Sequence, residues 1–277
     1  VLEKENPDLV IVYGDTNSTL AGAMVAVKLN CPVGHVEAGL RSFNRAMPEE
    51  INRVLADRAS DFLFCPTQTA VDNLEREGMT RGCHLIGDVM YDALKYYRRK
   101  LDDDSSLLNE FDLAPGGYYL LTVHRAENTD NPENLRAIIE TVAGLDKPVV
   151  FPVHPRTRNV MGEMGLGLSG MIRPIDPVGY LQMMALESNA KKILTDSGGV
   201  QKEAYMLGVP CVTLRRETEW VETVEDGWNV LVGADREAII DAVETLEPPP
   251  GQKELFGDGR AAEKISGIIE DSLLSSL

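Results

Sequence analysis

The chain has 277 residues, 43% of them apolar and 26% charged, with a formal net charge of −17. That apolar content can bury a large core and, at roughly 100–200 residues per domain, two domains are expected; the acidic balance argues against nucleic acid, whose affinity comes from lysine and arginine neutralising phosphates. No apolar run approaches the roughly 18 residues a membrane span requires, and the first residues lack the basic-then-apolar layout of a secretory signal, so the chain reads as a cytoplasmic protein with no membrane partner.

Short β-branched runs alternate with amphipathic stretches from one end to the other. A strand at 9–13 precedes a helix at 18–29, a strand at 33–36 precedes a helix at 48–58, a strand at 62–65 precedes a helix at 68–77, and a strand at 84–87 precedes a helix at 89–100. The pattern lapses over 101–117, an acidic segment with serine and glycine that reads as a linker. It resumes with a strand at 118–123, a helix at 132–145, strands at 148–153 and 171–175, a helix at 178–188, a strand at 192–195 and a helix at 200–207. Strands at 210–214 and 229–232, a helix at 235–246, a break at Pro248-Pro249-Pro250-Gly251 and a helix at 259–274 close the chain. Such alternation means an α/β fold with parallel sheets wrapped by helices. The expected domains are 1–100 and 101–255, followed by a terminal stretch 256–277. Four strands before the linker against six after it leave the first sheet small with a long edge, so residues preceding Val1 are expected in the complete protein; a naturally small first domain is the alternative. Cys31, Cys65, Cys83 and Cys211 are scattered, with no Cys-x-x-Cys spacing and no cysteine-histidine cluster, so free thiols are expected rather than zinc or disulfides.

The chemistry-bearing residues fall at strand ends. Gly14-Asp15-Thr16-Asn17-Ser18 follows the first strand and would project Asp15 from the carboxyl edge of a parallel sheet, where open α/β folds bind ligands; a helix cap is the equally good plain reading. His35-Val36-Glu37-Ala38-Gly39-Leu40-Arg41 brings Glu37 to the same edge, and Arg45-Ala46-Met47-Pro48-Glu49-Glu50 brings Glu49 as a helix starts at Pro48. A helix N-terminus accounts for one such acid, while three on one rim invite acid–base chemistry. His124 and His154 each end a strand and are followed within two residues by an arginine, a pattern suited to an anionic ligand. Arg41, Arg45, Arg125, Arg156, Arg158, Arg215 and Arg216 occupy loop-like places and would supply local positive charge. Asp196-Ser197-Gly198-Gly199 then joins a strand to a helix, where free N–H groups and the helix dipole converge and glycines leave room for a phosphate. Glu203, one turn further in, would reach the two hydroxyls of a ribose. On its own this run is equally consistent with a serine cap and a tight turn.

Taken in order, GDTNST, HVEAGLR, MPEEINR, TVHRAEN, PVHPRTR, TDSGGVQKEA, RRETEW and FGDGRAAEKI strongly resemble the non-hydrolysing UDP-N-acetylglucosamine 2-epimerases, over essentially the whole chain. The resemblance implies two Rossmann-like domains facing across a cleft, a fold shared with many nucleotide-sugar glycosyltransferases. It also implies a C-terminal helix crossing back onto the first domain, and a homodimer. It implies that UDP-N-acetylglucosamine and UDP-N-acetylmannosamine are interconverted without cofactor or metal, by loss of UDP to an enzyme-held 2-acetamidoglucal and re-addition. Asp15, Glu37, Glu49 and His124 fall at the family's catalytic positions. Ser197, Gly198 and Gly199 fall where the diphosphate is held, Glu203 at the ribose, and Arg41, His154 and Arg215 among the substrate contacts. Arg173-Pro174-Ile175-Asp176-Pro177 resembles the uracil-side loop. The family's first strand and its glycine-threonine-arginine-proline-glutamate loop have no counterpart in the sequence, and Ala126 stands where many bacterial members carry an arginine tied to activation by a second substrate molecule. The alternatives are a hydrolysing relative that releases N-acetylmannosamine, a glycosyltransferase of the same architecture, and a non-catalytic UDP-sugar binding fragment.

Overall fold

In the computed structural model, residues 1–101, 108 and 111–274 are described. Within the expected linker 101–117, residues 102–107 and 109–110 lie outside this set. The chain divides into two compact units, Val1–Lys95 with Glu254 onward, and Tyr96–Lys253.

The first unit is built on a four-stranded sheet of β1 (Val10–Tyr13), β2 (Val33–Val36), β3 (Phe62–Cys65) and β4 (Cys83–Leu85), in that spatial order and parallel throughout. Parallel neighbours need crossovers, supplied by helices Asn17–Lys28, Pro48–Ala59 and Gln68–Arg76. Their starts follow from sequence. Thr16 and Thr19 form a capping box, Pro48 opens its helix, and Thr67 accepts from the amide of Ala70. The helix Ala261–Leu274 belongs to this unit: Ala261 and Ile265 pack with Val36, Phe64 and Ile86, and the Asp92 carboxylate accepts from the amides of Ala261 and Ala262 at 3.0 and 2.8 Å.

The second unit holds six parallel strands in the order β10-β9-β8-β5-β6-β7, where β5 is Tyr119–Thr122, β6 Val149–Pro152, β7 Ile172–Ile175, β8 Lys192–Thr195, β9 Cys211–Thr213 and β10 Asn229–Leu231. Helices cover both faces, so the central strands are buried on both sides and their apolar runs are continuous. Leu121, Phe151, Leu194 and Val212 form the heart of a core closed by Leu135, Ile138 and Val142 from helix Pro132–Val142 and by Ile239 and Val243 from helix Arg236–Thr245.

Each expected strand is present to within two residues, and each expected helix to within three. Helix Pro155–Glu163 was not expected, nor were the short helices Ala126–Thr129 and Val221–Glu225. Arg156 and Arg158 are therefore helical rather than loop residues, paired with Asp130 and Asp176 at 2.5 and 2.7 Å. Cys65 and Cys211 are buried free thiols, whereas Cys31 and Cys83 are only partly covered. No helix among the described residues is long and apolar enough to cross a membrane.

Candidate active site

In the first unit the candidate residues stand at the carboxyl ends of adjacent strands. Tyr13 and Val36 are register partners, so Gly14 and Glu37 leave the sheet side by side. Glu37 adopts a left-handed φ of 76°, a conformation that costs an ordinary residue energy and persists only where surroundings impose it. Here the amides of Glu37 and Ala38 both donate to the Phe64 carbonyl at 3.1 and 3.2 Å, and a Glu37 carboxylate oxygen would lie 3.3 Å from a Cβ placed on Gly14. Glu37 is thus turned back against the loop that carries Asp15. Asp15 accepts from the guanidinium of Arg53, and its carbonyl accepts from Asn52 Nδ2 at 2.9 Å. Glu49 lies half-buried in the first turn of the helix that carries Asn52 and Arg53. Glu37 therefore lies against the Gly14 backbone beside Asp15, and Glu49 shares the element that grips Asp15.

Beneath this rim runs a buried charged chain that the sequence did not reveal. His35 is fully buried, its Nδ1 2.7 Å from Asp57 Oδ1 and its Nε2 2.7 Å from the Gly14 carbonyl. Both ring nitrogens face acceptors, an arrangement that the doubly protonated imidazolium satisfies. Burial alone would drive His35 toward its neutral form, but the bonds to Asp57 and Gly14 outweigh it and the pKa is raised. Asp57 also accepts from the Gly39 amide at 3.2 Å and from Arg41 Nη1 at 2.7 Å. The remaining arms of Arg41 bind Glu77 at 2.7 and 2.9 Å, and Nη1 also reaches the Leu40 carbonyl. Arg41, expected among the substrate contacts, has a side chain 1% exposed and a fork filled from within the fold.

In the second unit the strand order reverses between β5 and β8, since β6 and β7 continue to one side and β9 and β10 to the other. Such a switch point opens a crevice beyond the carboxyl ends of the two strands, the usual ligand site of open α/β sheets. Asp196 follows β8 at this point and is wholly buried. It accepts from the amides of His124 and Arg125 at 3.0 Å each and from Asn128 Nδ2 at 3.1 Å, so the β5 turn is tied to the β8 turn by one carboxylate. His124 Nδ1 lies 3.8 Å from Asp196. Burial, together with Arg125, His154 and Arg156, holds the His124 pKa below its ordinary value against the pull of Asp196, which favours the neutral ring. The His124 and His154 rings are 5.5 Å apart, and His154 accepts from the Arg156 amide at the start of the unexpected helix.

Ser197 caps helix Gly198–Leu207, accepting from the Val200 amide at 3.5 Å. Gly198 and Gly199 form its first turn, where amides lack intrahelical partners. A Cβ on Gly198 would stand 3.5 Å from the indole Nε1 of Trp220, 3.8 Å from Arg125 Nη2 and 3.9 Å from Glu219 Oε1, so a donor, a cation and a carboxylate flank the helix start. Arg215 lies two residues beyond β9 and is paired with Glu219 at 2.9 Å, buried to 2% exposure. Glu203, also buried, bonds to the Tyr180 hydroxyl and lies near Glu187. Burial, with the charge of Glu203, pushes the Glu187 carboxyl well above the usual range. Asp196 and Arg53 stood inside motifs already singled out, whereas Asp57, Glu187 and Tyr180 gave no local signal. Among the described residues no three histidine, cysteine or carboxylate side chains converge as a metal site.

The family model for UDP-N-acetylglucosamine 2-epimerase matches residues 1–270. The chain is 52% identical over 277 residues to a UDP-N-acetylglucosamine 2-epimerase homolog of Methanococcus maripaludis, covering 98% of this chain and 78% of that protein. It is 49% identical to the UDP-2,3-diacetamido-2,3-dideoxy-D-glucuronate 2-epimerase of Pseudomonas aeruginosa, covering 97% of this chain and 76% of that one. The crystal structure of the Methanocaldococcus jannaschii UDP-GlcNAc 2-epimerase in complex with UDP-GlcNAc and UDP superposes with a TM-score of 0.92 at 47% identity, over 97% of this chain and 77% of that chain. The Neisseria meningitidis enzyme bound to UDP-GlcNAc gives 0.89 at 31% identity, over 98% and 78%. With two parallel-sheet units, acids on the rim of one and an open helix start at the switch point of the other, the chain belongs to the UDP-N-acetylglucosamine 2-epimerase family.

Proposed function

We propose that this protein is a UDP-N-acetylglucosamine 2-epimerase of the non-hydrolysing type, producing UDP-N-acetylmannosamine. The reaction begins with removal of the C2 proton; the C–H electron pair forms the C1=C2 double bond while the C1–O bond breaks and UDP departs. Protonation of the resulting 2-acetamidoglucal on its other face, with return of UDP to C1, gives the epimer. Proton removal and return on opposite faces call for more than one acid–base group. The observation that carries this reading is the Glu37 backbone, held left-handed so that its carboxylate lies against the Asp15 loop. A nucleotide-sugar binding module or a glycosyltransferase has no need of that pair. Asp15, Glu37, Glu49 and His124 are the acid–base candidates. Ser197, Gly198 and Gly199 would hold the diphosphate, Glu203 the ribose, and His154 and Arg215 would support the phosphate side. Retaining UDP between the two half-reactions is the essential task, since escape of the nucleotide ends the cycle as hydrolysis. A homodimer working in the cytoplasm belongs to the same reading.

Incubation with UDP-N-acetylglucosamine in heavy water tests it. Deuterium at C2 in both UDP-sugars is expected, and accumulation of free N-acetylmannosamine would instead make the enzyme hydrolytic. A second substrate is favoured by the 49% identity to the Pseudomonas aeruginosa enzyme: UDP-2,3-diacetamido-2,3-dideoxy-D-glucuronate would undergo the same change at C2 and differ at other carbons. Comparing kcat/KM for the two compounds decides between them.

A further inference from the structure

Arg53 is 2% exposed, and a buried guanidinium is costly unless its donors are matched. One arm, Nη2, donates to Asp15, and the other, Nη1, donates to Glu50 at 3.0 Å. Glu50 is itself immobilised, because Oε2 accepts from the amide and hydroxyl of Ser42 at 2.9 and 3.0 Å and Oε1 accepts from the Phe43 amide at 2.9 Å. The plane of the Arg53 fork is therefore set on one side by a fixed carboxylate, and the opposite arm dictates where Asp15 points. Asn52, the preceding residue, holds the Asp15 carbonyl at 2.9 Å. Further along the same helix Asp57 holds His35, which grips the Gly14 carbonyl at 2.7 Å. Asp15 is thus fixed through both backbone and side chain by the helix that carries Glu49 in its first turn. Even so, the Asp15 side chain keeps 31% exposure, leaving part of its carboxylate open to a ligand.

We infer that Arg53 is a positioning residue for epimerisation, aiming the Asp15 carboxylate at the carbon that exchanges its proton. The inference rests on the reading of Asp15 as an acid–base group. Proton transfer depends steeply on geometry, and a displacement of about 1 Å costs on the order of 100-fold in rate. Lysine in place of Arg53 keeps the charge but offers a compact ammonium instead of a planar fork, so it cannot serve Glu50 and Asp15 in the same geometry.

The test is a double-mutant cycle on the rate of C2 deuteration of UDP-N-acetylglucosamine in heavy water, using wild type, Arg53→Lys, Asp15→Asn and the double variant, with UDP affinity measured alongside. Asp15→Asn is expected to lose about 100-fold or more. Arg53→Lys should lose about 30–100-fold with UDP affinity unchanged, and should cost almost nothing further once Asp15 is asparagine. Arg53→Ala, if folded, should regain activity on addition of guanidinium. A wild-type rate in Arg53→Lys, or losses that simply add in the double variant, would overturn the positioning role while leaving the proposed reaction intact. A wild-type rate in Asp15→Asn would instead remove Asp15 from the chemistry, and the inference with it.

Discussion

Replacing Asp57 with asparagine is the sharpest probe of the buried chain under the acidic rim. Asp57 is wholly inaccessible and accepts from His35, Arg41 and the Gly39 amide. An amide has one acceptor oxygen, so its NH2 must face either the His35 or the Arg41 donor. Breaking a buried ion pair from one side costs about 3–5 kcal/mol. Arg41 keeps Glu77, so His35 bears most of the loss and about 3 kcal/mol is expected. The pH dependence adds a second readout. The folded pKa of His35 is raised above its ordinary 6.5, so proton binding favours the folded state. That contribution is complete below about 6.5 and is lost as pH rises through the raised folded value. The Asp57→Asn penalty should therefore be largest in mild acid and shrink on the alkaline side. Both tryptophans, Trp220 and Trp228, lie in the second unit, so tryptophan emission during urea unfolding follows that unit, whereas far-UV circular dichroism follows both. The variant should lower the midpoint of the circular dichroism transition by about 1–2 M urea and leave the emission transition in place. A shift worth less than about 1 kcal/mol, or a penalty that grows with pH, would refute the charged-chain argument.

Three further outcomes follow from the same geometry. Burial and Glu203 raise the Glu187 pKa well above 4.5, so the stability its protonated form contributes is lost as pH rises through that raised value; Glu187→Gln should flatten the alkaline decline of the melting temperature, and an unchanged decline would show that another group causes it. Ser197→Ala should weaken UDP binding about fivefold, the worth of one ordinary hydrogen bond of about 1 kcal/mol, and Glu203→Ala should weaken it more. Equal, negligible losses by calorimetry would mean that the nucleotide sits elsewhere. Gly39 has a φ of +82° and a Cβ there would lie 2.3 Å from the Ala70 carbonyl oxygen, so Gly39→Ala should cost more than the ~1–2 kcal/mol of a left-handed alanine alone. Gly144→Ala, whose Cβ would meet nothing closer than 3.6 Å, is the matched control in denaturant unfolding.

The strands were legible because a sheet covered on both faces needs unbroken apolar runs, as in Val149–Pro152, whose first three residues are buried. Helix Pro155–Glu163 was not, because its sequence PRTRNVMGE has no periodic apolar face and its cap is a histidine, a rare choice. Asp15 and Glu37 could be placed from local pattern alone, since a residue just past a parallel strand must project from the carboxyl edge. Their supports could not. Arg53 meets Asp15 across 38 positions, and Arg41 meets Glu77 across 36. Nothing near Arg41 in sequence distinguishes a buried arginine bonded within the fold from one offered to a ligand. Asp196 lay within a motif already noted, but its task of joining two turns appears only once β5 and β8 are known to be neighbours.

The first unit is stitched from two distant stretches, Val1–Lys95 and Glu254 onward, whereas the second runs unbroken from Tyr96 to Lys253. During translation the six-stranded half can close as soon as it leaves the ribosome, while the four-stranded half waits for Ala261 and Ile265 to cover Phe64 and Ile86. A nascent chain stalled short of Glu254 would carry one finished half and one with an apolar face still bare, and it is the latter that chaperones would meet.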